Sequence, residues 1–161
     1  MGPESGRKLG INGFGRIGKL TLWHHVARKS FEEIVVNIGR RSGTSMADIA
    51  HYVERDSTYG RLHNFLRGCF GEPVVSDVDE DEESMVVDGI RVRFLRTSRN
   101  PAEIGWRDHG VHLVVETTGQ FLDPTQPSEA PKGSVRGHLS SGAQKVIVSA
   151  PFKIKDQSAP M

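Results

Sequence analysis

LGINGFGRIG, residues 9–18, is the stretch whose reading decides the fold. Three glycines, Gly13, Gly15 and Gly18, follow a short apolar run and open onto a segment with helical spacing. A bare G-x-G-x-x-G is a weak signal in a chain with 18 glycines among 161 residues. Its context sharpens it, because a strand precedes it, a helix follows and a second apolar run lies beyond, as in a βαβ unit. In that layout Gly13 makes the tight turn, Gly15 lets a pyrophosphate approach the backbone, and Gly18 lets the helix lie close to the sheet. Asn12, at the strand end, joins the candidate set. The pyrophosphate would rest on the free N–H groups around Arg16 and Ile17, at the positive end of the helix. The competing reading is a connection that uses glycine only to turn.

Outward from this motif, strand and helix signals alternate. Residues 8–12 read as a strand with Leu9 and Ile11 on one face. Ile17, Leu20, Thr21, Leu22 and Val26 then keep helical spacing, with Arg28 and Lys29 at the C-terminal end. Residues 34–37 (IVVN) read as a second, buried strand. Ser45 with Asp48 forms a capping box that opens a helix, whose Met46, Ile49, Ala50 and Val53 share one side. Residues 85–87 and 90–95 flank Asp88-Gly89, the signal for a type I′ hairpin. Residues 111–116 are a third core strand, 135–143 a short helix and 145–149 a fourth core strand. Apolar strands separated by helices predict an α/β fold: a Rossmann-like, doubly wound, mainly parallel sheet, with the hairpin as an inserted antiparallel addition. Such folds bind ligands at the edge formed by the strand C-terminal ends.

Composition narrows the class of function. Hydrophobic residues are 36% and charged residues 25%, the balance of a globular domain. No run approaches the ~18 apolar residues of a membrane helix, and the first eight residues lack an apolar signal core. A single cysteine, Cys69, excludes an internal disulfide and fits a reducing compartment, so a cytoplasmic location is expected. The net charge of +1 gives no sign of a nucleic-acid partner. The organisation expected is a flexible tail over 1–7 and one domain over 8–161. Residues 77–83 carry six acids in seven positions and read as a solvated loop without a partner; residues 123–133, with Pro124, Pro127 and Pro131, read as an irregular surface loop.

The second strand bears on which dinucleotide is bound. An Asp or Glu ~20 residues beyond the glycines usually binds the adenine ribose hydroxyls. Here the strand ends Val36-Asn37-Ile38-Gly39-Arg40-Arg41-Ser42, with no acid. Arg40 and Arg41 stand where a 2′-phosphate would lie, which tilts the expectation toward NADP or toward use of both NAD and NADP. The plainer alternative makes them surface charges on a loop.

INGFGRIG (11–18), ERDSTYGR (54–61), VVETTGQF (114–121) and KVIVSAP (145–151) occur in an order and spacing that resemble the phosphorylating glyceraldehyde-3-phosphate dehydrogenases, over the N-terminal, coenzyme-binding half of that family. The resemblance implies backbone contacts from Arg16 and Ile17 to the pyrophosphate, and it places Asn37 near the adenosine end. It sets Arg99 beside the adenine, lines the groove with Thr117, Thr118 and Gly119, and puts Ser149 toward the nicotinamide. It also implies a homotetrameric parent enzyme. Ile38 departs from the family, most members of which have a ribose-binding Asp there. The proline-rich loop and residues 152–157 are further departures, read as surface insertions.

The same resemblance implies that a cysteine attacks the aldehyde, that hydride leaves to the nicotinamide, and that phosphate cleaves the resulting thioester. The motif holding that cysteine would follow residue 161, so no catalytic residue is expected among these residues and the chain alone is expected to be inactive. Cys69, in RGCFG (67–71), has no matching motif around it. The seven histidines, His24, His25, His51, His63, His109, His112 and His138, show no spacing that suggests a metal site. The parent substrate is expected to be glyceraldehyde 3-phosphate, with erythrose 4-phosphate also open. Two other readings stay open: a non-catalytic module that binds nucleotide or RNA in the same groove, and a relative kept for assembly that binds nothing.

Overall fold

The computed structural model describes residues 6–39, 44–154 and 158. Most of the expected tail 1–7 lies outside these residues, as do Arg40, Arg41, Ser42 and positions 155–157. In chain order the elements are β1 (Lys8–Asn12), α1 (Arg16–Arg28), β2 (Glu33–Asn37), α2 (Met46–Glu54), β3 (Arg55–Asp56), β4 (Gly60–Arg61), α3 (Leu62–Arg67), β5 (Val75–Asp79), β6 (Ser84–Val87), β7 (Ile90–Leu95), a 3-10 turn (Pro101–Glu103), β8 (Val111–Glu116), α4 (Val135–Ser140) and β9 (Lys145–Val148).

Seven strands form one sheet in the order β5-β6-β7-β2-β1-β8-β9, and β3-β4 pair separately. From β7 to β9 every pairing is parallel, as expected for apolar strands separated by helices. The chain steps from β1 to β2 on one side and later to β8 on the other. The strand order therefore reverses at β1, and the glycine turn sits at that switch point.

Local chemistry explains the boundaries. Ser45 and Asp48 form the capping box reciprocally and open α2. Lys29 ends α1 in the left-handed region at φ 51°, and its N–H donates to the His25 carbonyl. Asp88 and Gly89 both have positive φ, 46° and 82°, as a type I′ turn requires.

The expected hairpin is antiparallel, β6 pairing with β7, and β7 also joins the parallel set beside β2, because Val92 and Phe94 are apolar enough to be buried there. Two readings need correction. Residues 77–79 of the acidic run belong to an edge strand, β5, whose outer side stays in water. Nor is the run without partners: Arg96, whose side chain is 3% exposed, pairs with Glu80 and Glu83. The last helix stops at Ser140 rather than running to Ala143.

Successive residues of a strand point to opposite faces. Ile34 and Val36 join Leu9, Ile11, Val92 and Phe94 in a large core with Leu22, Trp23 and Val26 of α1, Met46, Ile49 and Val53 of α2, and Leu62 of α3. Val35 faces the other way, into a smaller cluster with Leu95, Ile104, Trp106, Val111, Val114 and Ala143. Full burial of each large apolar side chain contributes about 1.5–3 kcal/mol.

Candidate functional site

At the C-terminal ends of β1, β2 and β8 lies a cavity of about 290 Å³. Asn12, Gly13, Phe14, Gly15, Asn37, Ile38, Gly39, Arg99, Thr118, Gln120 and Phe121 line it. Of the residues singled out in the sequence, this brings together Asn12, Gly13, Gly15, Asn37, Arg99 and Thr118.

The glycine turn is built around close backbone approach. Gly13 has φ 94°, a conformation that favours glycine, and its N–H donates to the Asn37 carbonyl at 2.9 Å. A side chain at Gly18 would strike the Gly13 carbonyl oxygen and come within 2.9 Å of Thr117 Oγ1, so the helix can reach the sheet only with glycine there. A Cβ at Gly15 would meet nothing within 4 Å. The backbone there faces open space next to the first N–H groups of α1, which have no intrahelical acceptor. That combination suits an anionic group.

Arg16 turns its side chain away from the turn. Its Nε lies 3.6 Å from Asp56 and its Nη2 donates to Ser57 Oγ at 3.0 Å, leaving its backbone to the helix N-terminus. Asp56 also holds the buried Lys19 at 3.3 Å. The N–H groups of Thr58 and Tyr59 and the Lys19 ammonium pull the Asp56 carboxyl down to about 2, against the cost of its burial. The segment around Asp56, one of the four stretches of the resemblance, is thus pinned to the start of α1.

On the β8 side, the Thr117 hydroxyl donates to the carbonyls of Asn12 and Gly13 at 2.9 and 3.0 Å, which fastens this turn to the glycine turn. Thr118 donates its N–H and its hydroxyl to Glu116 Oε1 at 2.7 and 2.5 Å. Gly119 lines a neighbouring cleft of about 540 Å³ with Gln120, Phe121 and Lys153. Ile17 and Ser149 are exposed, and the Ser149 N–H donates to the Glu116 carbonyl at 3.0 Å. On the β2 side, Arg99 packs against Gly39, where a Cβ would stand 2.9 Å from Arg99 Cγ.

Sequence reasoning missed Phe14, Gly39, Gln120 and Phe121 as lining residues, although each lies within two positions of a residue that was selected. It also missed the buried Glu116 and His138, whose pairing spans 22 positions and leaves no local pattern. Among the described residues, no group of three or more His, Cys, Asp or Glu is arranged to hold a metal, and no helix is long and apolar enough to cross a membrane. Cys69 is exposed, just beyond α3.

Residues 7–124 match the family model described as "Glyceraldehyde 3-phosphate dehydrogenase, NAD binding domain". The chain is 36% identical to a glyceraldehyde-3-phosphate dehydrogenase of Heyndrickxia coagulans, with 96% of this chain and 38% of that protein covered. It is 38% identical to glyceraldehyde-3-phosphate dehydrogenase 2 of Trichoderma koningii, over 89% of this chain and 36% of that protein. Against the Geobacillus stearothermophilus enzyme the identity is 34%, over 92% and 37%. The chain thus spans less than two fifths of the length of the relatives it matches. A matched segment of that extent, on a doubly wound sheet with a glycine turn at its switch point, makes this chain a member of the glyceraldehyde 3-phosphate dehydrogenase NAD-binding-domain family.

Proposed function

We propose that the groove at the ends of β1, β2 and β8 holds a nicotinamide dinucleotide, and that the chain is the coenzyme-holding part of a dehydrogenase that oxidises and phosphorylates an aldehyde. The observation that carries this is the glycine turn at the switch point, with open space over Gly15 beside the N-terminus of α1. The backbone of Gly15, Arg16 and Ile17 takes the pyrophosphate. Gly13 and Gly18 keep the turn tight, and Thr117 ties it to β8. Asn37, Gly39 and Arg99 form the adenosine end, while Thr118, Gly119 and Ser149 extend toward the nicotinamide. The dinucleotide, when bound, supplies the hydride acceptor.

Arg40 and Arg41 follow β2 after Ile38 and Gly39, and Ile38 stands where an acid would bind the ribose, so the adenine ribose meets no carboxylate at that position. This favours NADP, or use of both coenzymes. The parent substrate is glyceraldehyde 3-phosphate and the parent assembly a homotetramer. The thiol chemistry is not carried by these residues, since the sole cysteine sits in an exposed loop.

Calorimetric titration of the chain with NADP, NAD and an RNA oligomer tests the reading. Saturable dinucleotide binding without aldehyde turnover is expected. Binding of neither dinucleotide sinks the proposal, and tighter binding of RNA favours a non-catalytic module instead. Replacing Arg40 and Arg41 together by Ala should weaken NADP about tenfold more than NAD, the value of one lost charge-assisted contact. Equal losses would mean that the two arginines do not read the 2′-phosphate.

A further inference from the structure

Behind the groove, on the side of the small core, three large side chains are fully buried: Trp106, His138 and Glu116. The Trp106 indole N–H lies 2.9 Å from His138 Nδ1. An indole nitrogen only donates, so Nδ1 accepts and the ring proton resides on Nε2. Nε2 in turn faces Glu116 Oε2 at 2.8 Å. The same oxygen accepts from Asn12 Nδ2 at 2.5 Å, while Oε1 takes the two donors of Thr118. Asn12 Oδ1 accepts from Asn37 Nδ2 at 2.7 Å. Asn37 gives its second N–H to the Ser98 carbonyl at 3.0 Å, and its Oδ1 accepts from the Gly39 N–H at 3.3 Å. The Phe121 ring, which lines the cavity, stands edge-on to His138 with centroids 6.4 Å apart.

Each bond in this chain can run in only one direction. The chain ends at an indole N–H on one side and a backbone N–H on the other, and neither can accept. The Glu116 carboxylate is the sink for donors arriving from both sides. Turning either amide round, or moving the ring proton to Nδ1, would set donor against donor in a buried place, a fault that costs more than a missing bond in water. Three fixed donors on Glu116, from Asn12, His138 and the Thr118 N–H, require its oxygens as acceptors, and the Thr118 hydroxyl turns to add a fourth bond.

We infer that Glu116 and His138 are positioning residues for the Gly39–Arg99 end of the groove. His138 holds Glu116, Glu116 sets the Asn12 amide, and Asn12 sets Asn37, which fixes the turn at Gly39 and the backbone at Ser98. Calling this the adenosine end rests on the dinucleotide reading above; the relay itself does not.

The full chain, labelled with nitrogen-15, provides the test. At neutral pH the wild-type His138 ring should show its proton on Nε2 and a bare, accepting Nδ1. The opposite tautomer would overturn the relay, and this measurement needs no variant. In Glu116→Gln, of nearly the same size, an N–H group enters a site built only for acceptors, and the Gly39 amide resonance should shift although Gly39 contacts neither Glu116 nor His138. An unmoved Gly39 resonance would overturn the relay.

By calorimetry, His138→Phe and Glu116→Gln should each weaken dinucleotide binding about tenfold, as expected for loss of a hydrogen bond to a buried charge. His138→Gln, which keeps a donor for Glu116, should recover most of that loss. A packing role alone predicts the reverse pattern, with Glu116→Gln near wild type and no rescue by Gln at 138, and that result would overturn the inference. If the wild type binds neither NAD nor NADP, the dinucleotide reading fails, while the tautomer and the Gly39 resonance still decide the relay.

Discussion

On one face of the sheet, α1, α2 and α3 close over a large apolar core, with ties such as the bond from the Trp23 indole N–H to the Val53 carbonyl. On the other face a small apolar cluster is completed by Trp106, His138 and Glu116, two of them ionisable types, joined by hydrogen bonds. The first face gains mainly from area and tolerates exchange of one apolar shape for another. The second depends on the direction of individual bonds, which makes it exacting but also lets it communicate with the groove. Bulk stability and site geometry are thus carried largely by opposite sides of one sheet.

The largest effect should come from breaking the apolar face. Trp23 is fully buried and its indole N–H reaches the Val53 carbonyl at 2.8 Å, joining α1 to α2. Trp23→Ala should cost about 3–5 kcal/mol in denaturant unfolding. On the opposite face, Trp106→Phe keeps an aromatic ring but removes the donor to His138, and should cost about 2 kcal/mol. A loss under about 0.5 kcal/mol there would erase the contrast between the faces.

Smaller still is the cap of α2. Ser45→Ala removes the acceptor for the Asp48 N–H, 3.1 Å away, and should cost about 1 kcal/mol. Asp56 sharpens the comparison through pH. Its carboxyl is held at about 2 against an ordinary 3.8, first by the Thr58 N–H, then by those of Tyr59 and Lys19. A lowered carboxylate contributes its stability above the unfolded value and loses it as pH falls through the folded one. The melting temperature of Asp56→Asn should therefore lie below wild type at pH 7, with the gap closing between about pH 4 and about pH 2. A gap that persists at pH 2 would mean that the charge of Asp56 is not what pins its segment to α1.

The alternation of strands and helices was legible because each core segment carries its own pattern: IVVN for β2, the Ser45 and Asp48 box for α2, Asp88-Gly89 for the hairpin. What stayed hidden depended on partners distant in sequence. The acids at 77–83 gave no local hint of Arg96, which gathers Glu80 and Glu83. Nothing in the hairpin itself said that β7 would continue the parallel set beside β2. The short α3 and the two-residue strands β3 and β4 have too few residues to show a period. In the site, the glycine turn was readable from one stretch of ten residues. The Glu116–His138 pair was not, because sheet register and a returning helix bring it together.

Asn12 lies level with Asn37 on one neighbouring strand and with Glu116 on the other. This row has a consequence for how the domain assembles. A slip of β1, β2 or β8 by one position would turn the polar side chain at that strand's end toward the opposite face and strand its hydrogen-bond partners. Apolar residues nearby tolerate a neighbour of similar size, so they discriminate poorly between alignments. The three strand-end residues accept only one, and they act as a checksum on strand alignment, written at the edge that lines the groove.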